Sequence, residues 1–153
     1  MLPCLILGDS IAVGIAAALV AMHQPACEVQ ARSGASVRAI TSMVPSIGYR
    51  VILVSAGSND ATSASLSQDL ERLRARLRGA RVAWIYPRSP RVAWSVFAVA
   101  RRNGDQTIGI AGLRSTDGIH PIDYKAAARA IVAPRAPPSS SVRRAGATVA
   151  TNR

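Results

Sequence analysis

Short apolar runs alternate with helical patterns through the first 132 residues, and this alternation restricts the fold more than any other feature of the sequence. Strands are predicted at residues 3–7, 28–31, 50–55, 81–85 and 106–110. Runs of this length and aliphatic content are typical of strands buried on both faces. Repeated strand–helix alternation predicts right-handed βαβ units. We therefore expect an α/β protein with a flavodoxin-like three-layer α/β/α sandwich and a five-stranded parallel sheet.

Helical patterns fill the segments between the strands, at residues 11–23, 65–78, 90–102 and 121–132. The second pattern is the clearest, because its leucines recur every three or four residues and form one apolar stripe. Pro121 suits the first position of the last helix, where its missing backbone N–H costs nothing. The sequence also predicts that three large aromatic side chains belong to the core: Trp84, Trp94 and Phe97.

The chain has 153 residues, which suits one domain of ordinary size. Residues 134–153 are rich in Pro, Ser and Ala without apolar periodicity, so we expect a domain over residues 1–133 and then a disordered tail. The chain carries 19 basic and 8 acidic residues, and its net charge of +11 favours anionic partners. Because four arginines belong to the predicted tail, the case for a nucleic-acid-binding domain weakens.

Cysteine and histidine are scarce in this sequence. Cys4 and Cys27 are too few for a disulfide framework and lack the spacing of metal ligands, so they are interpreted as two small buried side chains. The only histidines are His23 and His120. We therefore expect neither a metal site nor another cofactor.

The apolar N-terminal stretch resembles a secretion signal at first sight. No Lys or Arg precedes it, and Asp9 interrupts it. Neither a signal peptide nor a membrane span is therefore expected, and the protein is assigned to the cytoplasm by default.

Polar residues follow the carboxyl ends of the predicted strands. In open parallel sheets, ligands bind outside these ends. The loops expected to meet there are residues 8–10, 32–35, 56–60 and 116–121. Together they would bring a serine, a histidine, an aspartate and several amide donors to one edge of the sheet.

Ser10 is the candidate nucleophile, because it stands where a strand turns into a helix whose N-terminus favours negative charge. A serine hydroxyl needs a base to take its proton. His120 is the candidate base, since His23 lies roughly 20 Å away along the first helix at 1.5 Å per residue. Asp117 could hold the His120 imidazole in the required tautomer. Two backbone N–H groups and one side-chain amide are the candidate oxyanion donors: Ser10, Gly34 and Asn59.

Four short motifs, in this order, resemble those of the SGNH hydrolases, also called the GDSL family: Gly8-Asp9-Ser10, Gly34, Gly57-Ser58-Asn59-Asp60 and Asp117-Gly118-Ile119-His120. The resemblance covers residues 3–132. It implies hydrolysis of an ester or amide through an acyl-enzyme, on a flavodoxin-like fold. The chain departs from the family by reading GDSI in place of GDSL. It is also short for the family, with little room for a lid.

Each motif residue also has a purely structural interpretation. Ser10 could cap the first helix, Gly34 could be a turn glycine and Asp117 could form a turn. Asp60 is expected to cap the second predicted helix, and Asp9 to shape the turn by local hydrogen bonds. Five such coincidences in the family's order favour the catalytic interpretation of the motifs.

The sequence therefore predicts a serine esterase or deacylase that acts on a small-molecule or glycan ester and forms no stable nucleic-acid complex. Three arginines expected near the active edge could favour an anionic ester, such as an acylated cell-surface glycan, or could simply be solvated: Arg32, Arg88 and Arg114. The alternative is a non-catalytic module that binds a nucleotide or nucleic acid, since residues 8–14 faintly resemble a phosphate loop. This segment lacks the G-x-G-x-x-G pattern and the Walker lysine.

Overall fold

The computed structural model describes residues 2–132 and contains a five-stranded sheet; the predicted tail, residues 134–153, lies outside the described residues. The strands are β1 (Leu2–Gly8), β2 (Glu28–Ala31), β3 (Tyr49–Ser55), β4 (Arg81–Tyr86) and β5 (Gln106–Gly109). All neighbouring strands are parallel, in the order β2-β1-β3-β4-β5. The predicted parallel sheet is confirmed, and every strand end lies within one residue of its predicted position.

Within residues 2–132, four α-helices connect successive strands and a fifth follows β5: α1 (Ser10–Ala21), α2 (Val37–Ser42), α3 (Leu66–Arg76), α4 (Pro90–Asn103) and α5 (Tyr124–Val132). The short helix α2 was not predicted, because six residues are too few to show a helical period.

The last helix begins three residues later than predicted. Asp123 Oδ1 accepts a hydrogen bond from Ala126 N at 3.0 Å and so caps the helix. The prediction that Pro121 is its first residue is therefore wrong, and Pro121 is instead buried before the helix.

The helices cover both faces of the sheet. Helices α1 and α5 pack together over one face, and α2, α3 and α4 lie side by side over the other. The apolar stripe of α3 is buried as predicted: Leu66, Leu70, Leu73 and Leu77. The three-layer sandwich expected from the sequence is therefore confirmed.

The two tryptophans have opposite environments. Trp84 on β4 is fully buried, and its indole N–H donates to Asp105 Oδ2 at 2.9 Å. Trp94 on α4 is 71% exposed, so the prediction that it belongs to the core is wrong. The inner stripe of α4 is already formed by its valines, and the 100° turn per residue places Trp94 on the opposite side.

A disulfide joins Cys4 to Cys27, with the two Cα atoms 4.8 Å apart. The interpretation of these cysteines as two unlinked buried side chains is therefore wrong. The cause is strand register, because Leu5 on β1 pairs with Glu28 on the parallel strand β2. The residues just before this pair, Cys4 and Cys27, therefore lie side by side.

The apolar N-terminal stretch forms β1 and α1 of the core. Within residues 2–132, no helix is long and apolar enough to cross a membrane.

Candidate active site

The turn from β1 to α1 is fixed by close packing and by a buried carboxyl group. A Cβ at Gly8 would lie 2.1 Å from the Ser55 carbonyl oxygen, and the residue has a positive φ of 152°, so only glycine fits there. Asp9 caps α1, because its Oδ1 accepts hydrogen bonds from Ile11 N at 3.0 Å and Ser55 Oγ at 2.8 Å. Capping therefore falls to Asp9, as expected of a turn-forming residue, and not to Ser10.

The three candidate catalytic side chains form a hydrogen-bonded row at the carboxyl edge of the sheet. Ser10 Oγ lies 2.7 Å from His120 Nε2. On the other side of the ring, His120 Nδ1 lies 2.6 Å from Asp117 Oδ2. The row joins the start of α1 to a loop more than a hundred residues further along the chain.

Asp117 is held as an acceptor by the loop that carries it. Its Oδ1 accepts from the backbone N–H groups of Ile119 and His120, both at 2.8 Å, and from Ser115 Oγ at 3.2 Å. The hydrogen bond with the His120 ring, followed by these backbone bonds, holds the pKa of Asp117 well below its usual range. Its carboxylate therefore stays ionised at neutral and mildly acidic pH, although 49% of the side chain is exposed.

Two of the candidate oxyanion donors, Gly34 and Asn59, lie on loops that are joined by a hydrogen bond. Gly34 has a φ of 73°, the left-handed region that favours glycine. The Asn59 amide donates to Ala35 O at 3.0 Å, which leaves its second N–H available. Among the described residues, the backbone N–H groups of Ser10 and Gly34 donate to no other group. These three residues therefore retain unused donors.

Asp60 strengthens this connection in a way that the sequence did not indicate. Its Oδ2 accepts from the backbone N–H of Val37 at 2.9 Å. Asp60 therefore caps α2 from another loop, and the expectation that it caps the helix following it in sequence is wrong. The error follows from the missed helix, since no α2 was expected there.

A buried polar pair lies behind Ser10. Asp9 is completely buried, and the Ser58 hydroxyl lies close enough to its carboxyl group to lower the pKa of that group. Burial raises the pKa of Asp9, although hydrogen bonds from Ser55 and from backbone N–H groups oppose this effect. Asp9 therefore differs from Asp117, which is ionised and solvent-accessible.

Arg88 is a functional candidate whose main contacts the sequence did not reveal. Its Nη1 donates to Leu113 O at 2.7 Å and to Ile110 O at 3.3 Å. These two hydrogen bonds therefore hold the segment that leads into the loop of Asp117 and His120. Arg32 and Arg114 are exposed in loops of the same edge.

A cavity of about 200 Å³ lies beside the loop that carries Asp117 and His120. Its lining comes from the loops after β3 and β4 and from that loop: Ser58, Ala61, Pro87, Arg88, Ser89, Gly118 and Ile119. A larger cavity of about 400 Å³ lies at the opposite end of the sheet, beside Cys4 and Cys27. The smaller cavity is the one that borders the loop of Asp117 and His120. Within residues 2–132, no group of three or more His, Cys, Asp or Glu side chains could hold a metal ion.

Gly14 has a packing function in the segment that faintly resembles a phosphate loop. A Cβ at this position would lie 2.3 Å from the Tyr124 ring, so glycine lets α1 and α5 approach closely. The nearby Ser10 hydroxyl is bonded to His120. Both residues therefore make contacts that need no phosphate to explain them.

No family model matches the sequence, and no curated protein matches it. Several solved structures, however, are similar to this chain. A protein from Bacteroides uniformis ATCC 8492, described as a GDSL-like lipase, is 17% identical over 85% of this chain and 93% of its own, with a TM-score of 0.68. A protein from Bacteroides ovatus ATCC 8483, described in the same way, is 14% identical over 86% of this chain and 96% of its own, with a TM-score of 0.62.

A third similar structure is the C-terminal catalytic domain of peptidoglycan O-acetyltransferase A from Streptococcus pneumoniae, solved with a methylsulfonyl adduct. It is 14% identical over 84% of this chain and 87% of its own, with a TM-score of 0.56. At such identities the similarity concerns the fold. Residues 2–132 therefore share the fold of these three proteins, a three-layer α/β/α sandwich around a parallel sheet.

Proposed function

We propose that this chain is an SGNH-family serine hydrolase that cleaves an ester through an acyl-enzyme. The observation that carries the proposal is the unbroken hydrogen-bonded row from Ser10 through His120 to Asp117. A nucleophile, a base and an orienting carboxylate in this order are recognised by geometry and not by their positions in the sequence.

In the first half of the reaction, Ser10 Oγ attacks the ester carbonyl carbon while its proton passes to His120 Nε2. The ionised Asp117 stabilises the resulting imidazolium through Nδ1. The negative charge on the carbonyl oxygen is placed among the N–H groups of Ser10, Gly34 and Asn59. Loss of one such donor typically costs about 3–4 kcal/mol of transition-state stabilisation.

In the second half, the carbon–oxygen bond to the leaving alcohol breaks, and His120 returns its proton to that oxygen. Water then attacks the acyl-enzyme and gives its proton to His120, and Ser10 regains a proton as the carboxylic acid departs. An acceptor alcohol in place of water would give acyl transfer by the same route. The fold is compatible with both, since one similar structure is an O-acetyltransferase.

The proposed substrate is a small ester or the ester of a glycan. The cavity of about 200 Å³ beside the catalytic loop suits a short acyl or alkyl group. Arg32 and Arg114, exposed at the same edge, would attract an anionic substrate. Replacing both by Gln should then weaken the salt dependence of kcat/KM for an anionic ester, and an unchanged dependence would contradict this part of the proposal.

The disulfide provides evidence about the cellular compartment of the protein. Disulfides such as Cys4–Cys27 form and persist in oxidising compartments and are rare in the cytosol. We therefore propose an oxidising compartment in place of the default cytoplasmic assignment.

The decisive experiment is labelling with a fluorophosphonate, which reacts with activated serines, followed by mass-spectrometric location of the adduct. We expect the label on Ser10, no label in Ser10→Ala, and normal labelling in Ser67→Ala, where the serine is exposed on α3. In Asp117→Asn the labelling rate should fall by orders of magnitude, because the substituted amide would hold the imidazole in the wrong tautomer. A label on another serine, or undiminished ester turnover by Ser10→Ala, would overturn the proposed function.

A further inference from the structure

The positive charge of the described residues is concentrated on one side of the sheet. Helices α2, α3 and α4 carry only two carboxylates. They expose six arginines: Arg38, Arg72, Arg76, Arg91, Arg101 and Arg102. Helices α1 and α5 on the other side carry only Lys125 and Arg129. The outer surface of α2, α3 and α4, called the arginine face below, is therefore strongly cationic.

The two carboxylates of the arginine face do not neutralise it. Asp69 is buried and pairs with Arg38 at 3.0 Å and with Arg72 at 2.9 Å, while both guanidinium side chains remain about two-thirds exposed. Glu71 pairs with Arg102. Three further arginines, on α3 and α4, have no carboxylate partner among the described residues: Arg76, Arg91 and Arg101. The face therefore presents a net positive charge to any partner.

An aromatic pair with one exposed ring lies among these arginines. Trp94 is 71% exposed and packs on Phe97, with ring centroids 5.5 Å apart. Arg101 lies two helical turns further along the same side of α4, and Arg91 lies one turn before Trp94. Tryptophan is enriched where an apolar region meets water, as at the surface of a bilayer. A largely exposed Trp beside arginines is thus a combination that an anionic membrane surface would accommodate.

The spread of the arginines over the surface also favours a broad partner. They lie on three helices that pack side by side. A shallow depression of about 310 Å³ between α2 and α3, lined by Arg38, Thr41, Asp69 and Arg72, has room for a head group. A single polymer strand would instead be expected to follow a cationic groove lined with aromatic side chains.

We propose that the arginine face docks on an anionic lipid bilayer, with the arginines at the head groups and the Trp94 ring in the interfacial region. Clusters of this size are typical of segments that bind acidic lipids, and each basic residue near such a surface strengthens binding about five-fold. The attachment is independent of the chemistry proposed for Ser10. It can be tested with a protein that has no hydrolase activity.

The experiment measures partition of the full chain onto sedimenting vesicles of phosphatidylcholine alone or mixed with phosphatidylglycerol. We expect binding to the mixed vesicles only, and its loss at high salt. Because Trp84 is fully buried, vesicles should shift the emission of Trp94 to shorter wavelength, and this shift should be absent in Trp94→Phe. Equal binding to both vesicle types, or an unchanged emission spectrum on binding, would overturn the proposal.

Charge variants test whether the arginine face itself makes the contact. The double variant Arg76→Gln/Arg101→Gln should bind the mixed vesicles about 25-fold more weakly. The matched control, Lys125→Gln/Arg129→Gln on α5, should change binding much less. The four arginines of residues 134–153 are unchanged in both variants, so attachment through that segment would leave the two variants equal and overturn the proposal. Binding to heparin without binding to mixed vesicles would also overturn it, in favour of a soluble polyanion.

Discussion

Asp9 and Ser10 are neighbours in sequence with opposite chemical environments. Asp9 turns inward, where its carboxyl is buried and accepts from Ile11 N and Ser55 Oγ. Ser10 turns outward and meets His120. Asp9 is the N-cap residue with extended backbone, whereas Ser10 is the first residue of α1, so the two side chains leave the backbone in different directions. A short motif can therefore contain a residue that holds the turn and a residue that is proposed to react.

Replacing Asp9 by Asn should change how stability depends on pH. The pKa of Asp9 is raised in the folded protein, so the folded state retains a proton that the unfolded chain loses above a pKa near 3.8. The contribution of this group to stability is therefore full below that value and is lost as the pH rises through the folded-state pKa. The Asn amide keeps the Oδ1 acceptor but cannot ionise. We expect the variant to gain stability relative to the wild type as the pH rises.

Urea unfolding at a series of pH values, from about 4 to 8, measures this difference. The comparison is between the free energies of unfolding of Asp9→Asn and the wild type. A difference that stays constant across the series would contradict the raised pKa of Asp9.

At the scale of the elements, the candidate site is built from loops that are joined to one another by hydrogen bonds. Asn59 reaches the backbone of Ala35, Asp60 accepts from Val37, and Arg88 clasps the carbonyls of Ile110 and Leu113. Each bond joins the ends of two different βα units. The loop that carries Asp117 and His120 has no regular secondary structure of its own, so its position depends on contacts such as that of Arg88.

Replacing Arg88 by Ala should therefore impair catalysis through the loop. A displacement of the catalytic residues by about 1 Å can cost up to about 10²-fold in rate, so we expect kcat to fall by up to that amount on an uncharged small ester. Amide hydrogen exchange over residues 113–120 should become faster. Arg129→Ala, an exposed arginine on α5, is the matched control. An increase in KM alone, with unchanged exchange, would indicate that Arg88 contacts substrate and does not hold the loop.

At the scale of the whole molecule, the disulfide and the candidate catalytic groups occupy opposite ends of the sheet. The Cys4–Cys27 disulfide joins the amino-terminal parts of β1 and β2, whereas Ser10 and His120 lie beyond the carboxyl ends of the strands. The arginine face forms a third region, on one helical layer. Stability, chemistry and the proposed docking are therefore separable by substitution.

Removing the disulfide should lower stability without affecting the reaction. The crosslinked cysteines are 23 residues apart in sequence, and closing a loop of this size is worth about 3 kcal/mol in the chain-entropy treatment. We expect Cys4→Ser/Cys27→Ser to lose about that much free energy of unfolding in urea, and to keep its kcat/KM where it remains folded. Equal stability of the double variant and the oxidised wild type would show that the crosslink contributes nothing.

The sequence was sufficient for the architecture because strand and helix periods are local properties. All five strands and the leucine stripe of α3 were predicted, and the order of the motifs identified the fold. The candidate side chains Ser10, Asp117 and His120 could be named because ligands bind at the carboxyl edge of such a sheet. The short helix α2 was not predicted, because six residues are too few to show a helical period.

Only the tertiary structure decided the features that depend on which residues from distant segments become neighbours. The Cys4–Cys27 bond follows from the register of β1 and β2, and the capping of α2 by Asp60 follows from two loops meeting. The exposure of Trp94 depends on how α4 is turned against the sheet. A period shows which residues share a face, but contacts between elements are set by packing of the whole chain, which no local pattern encodes.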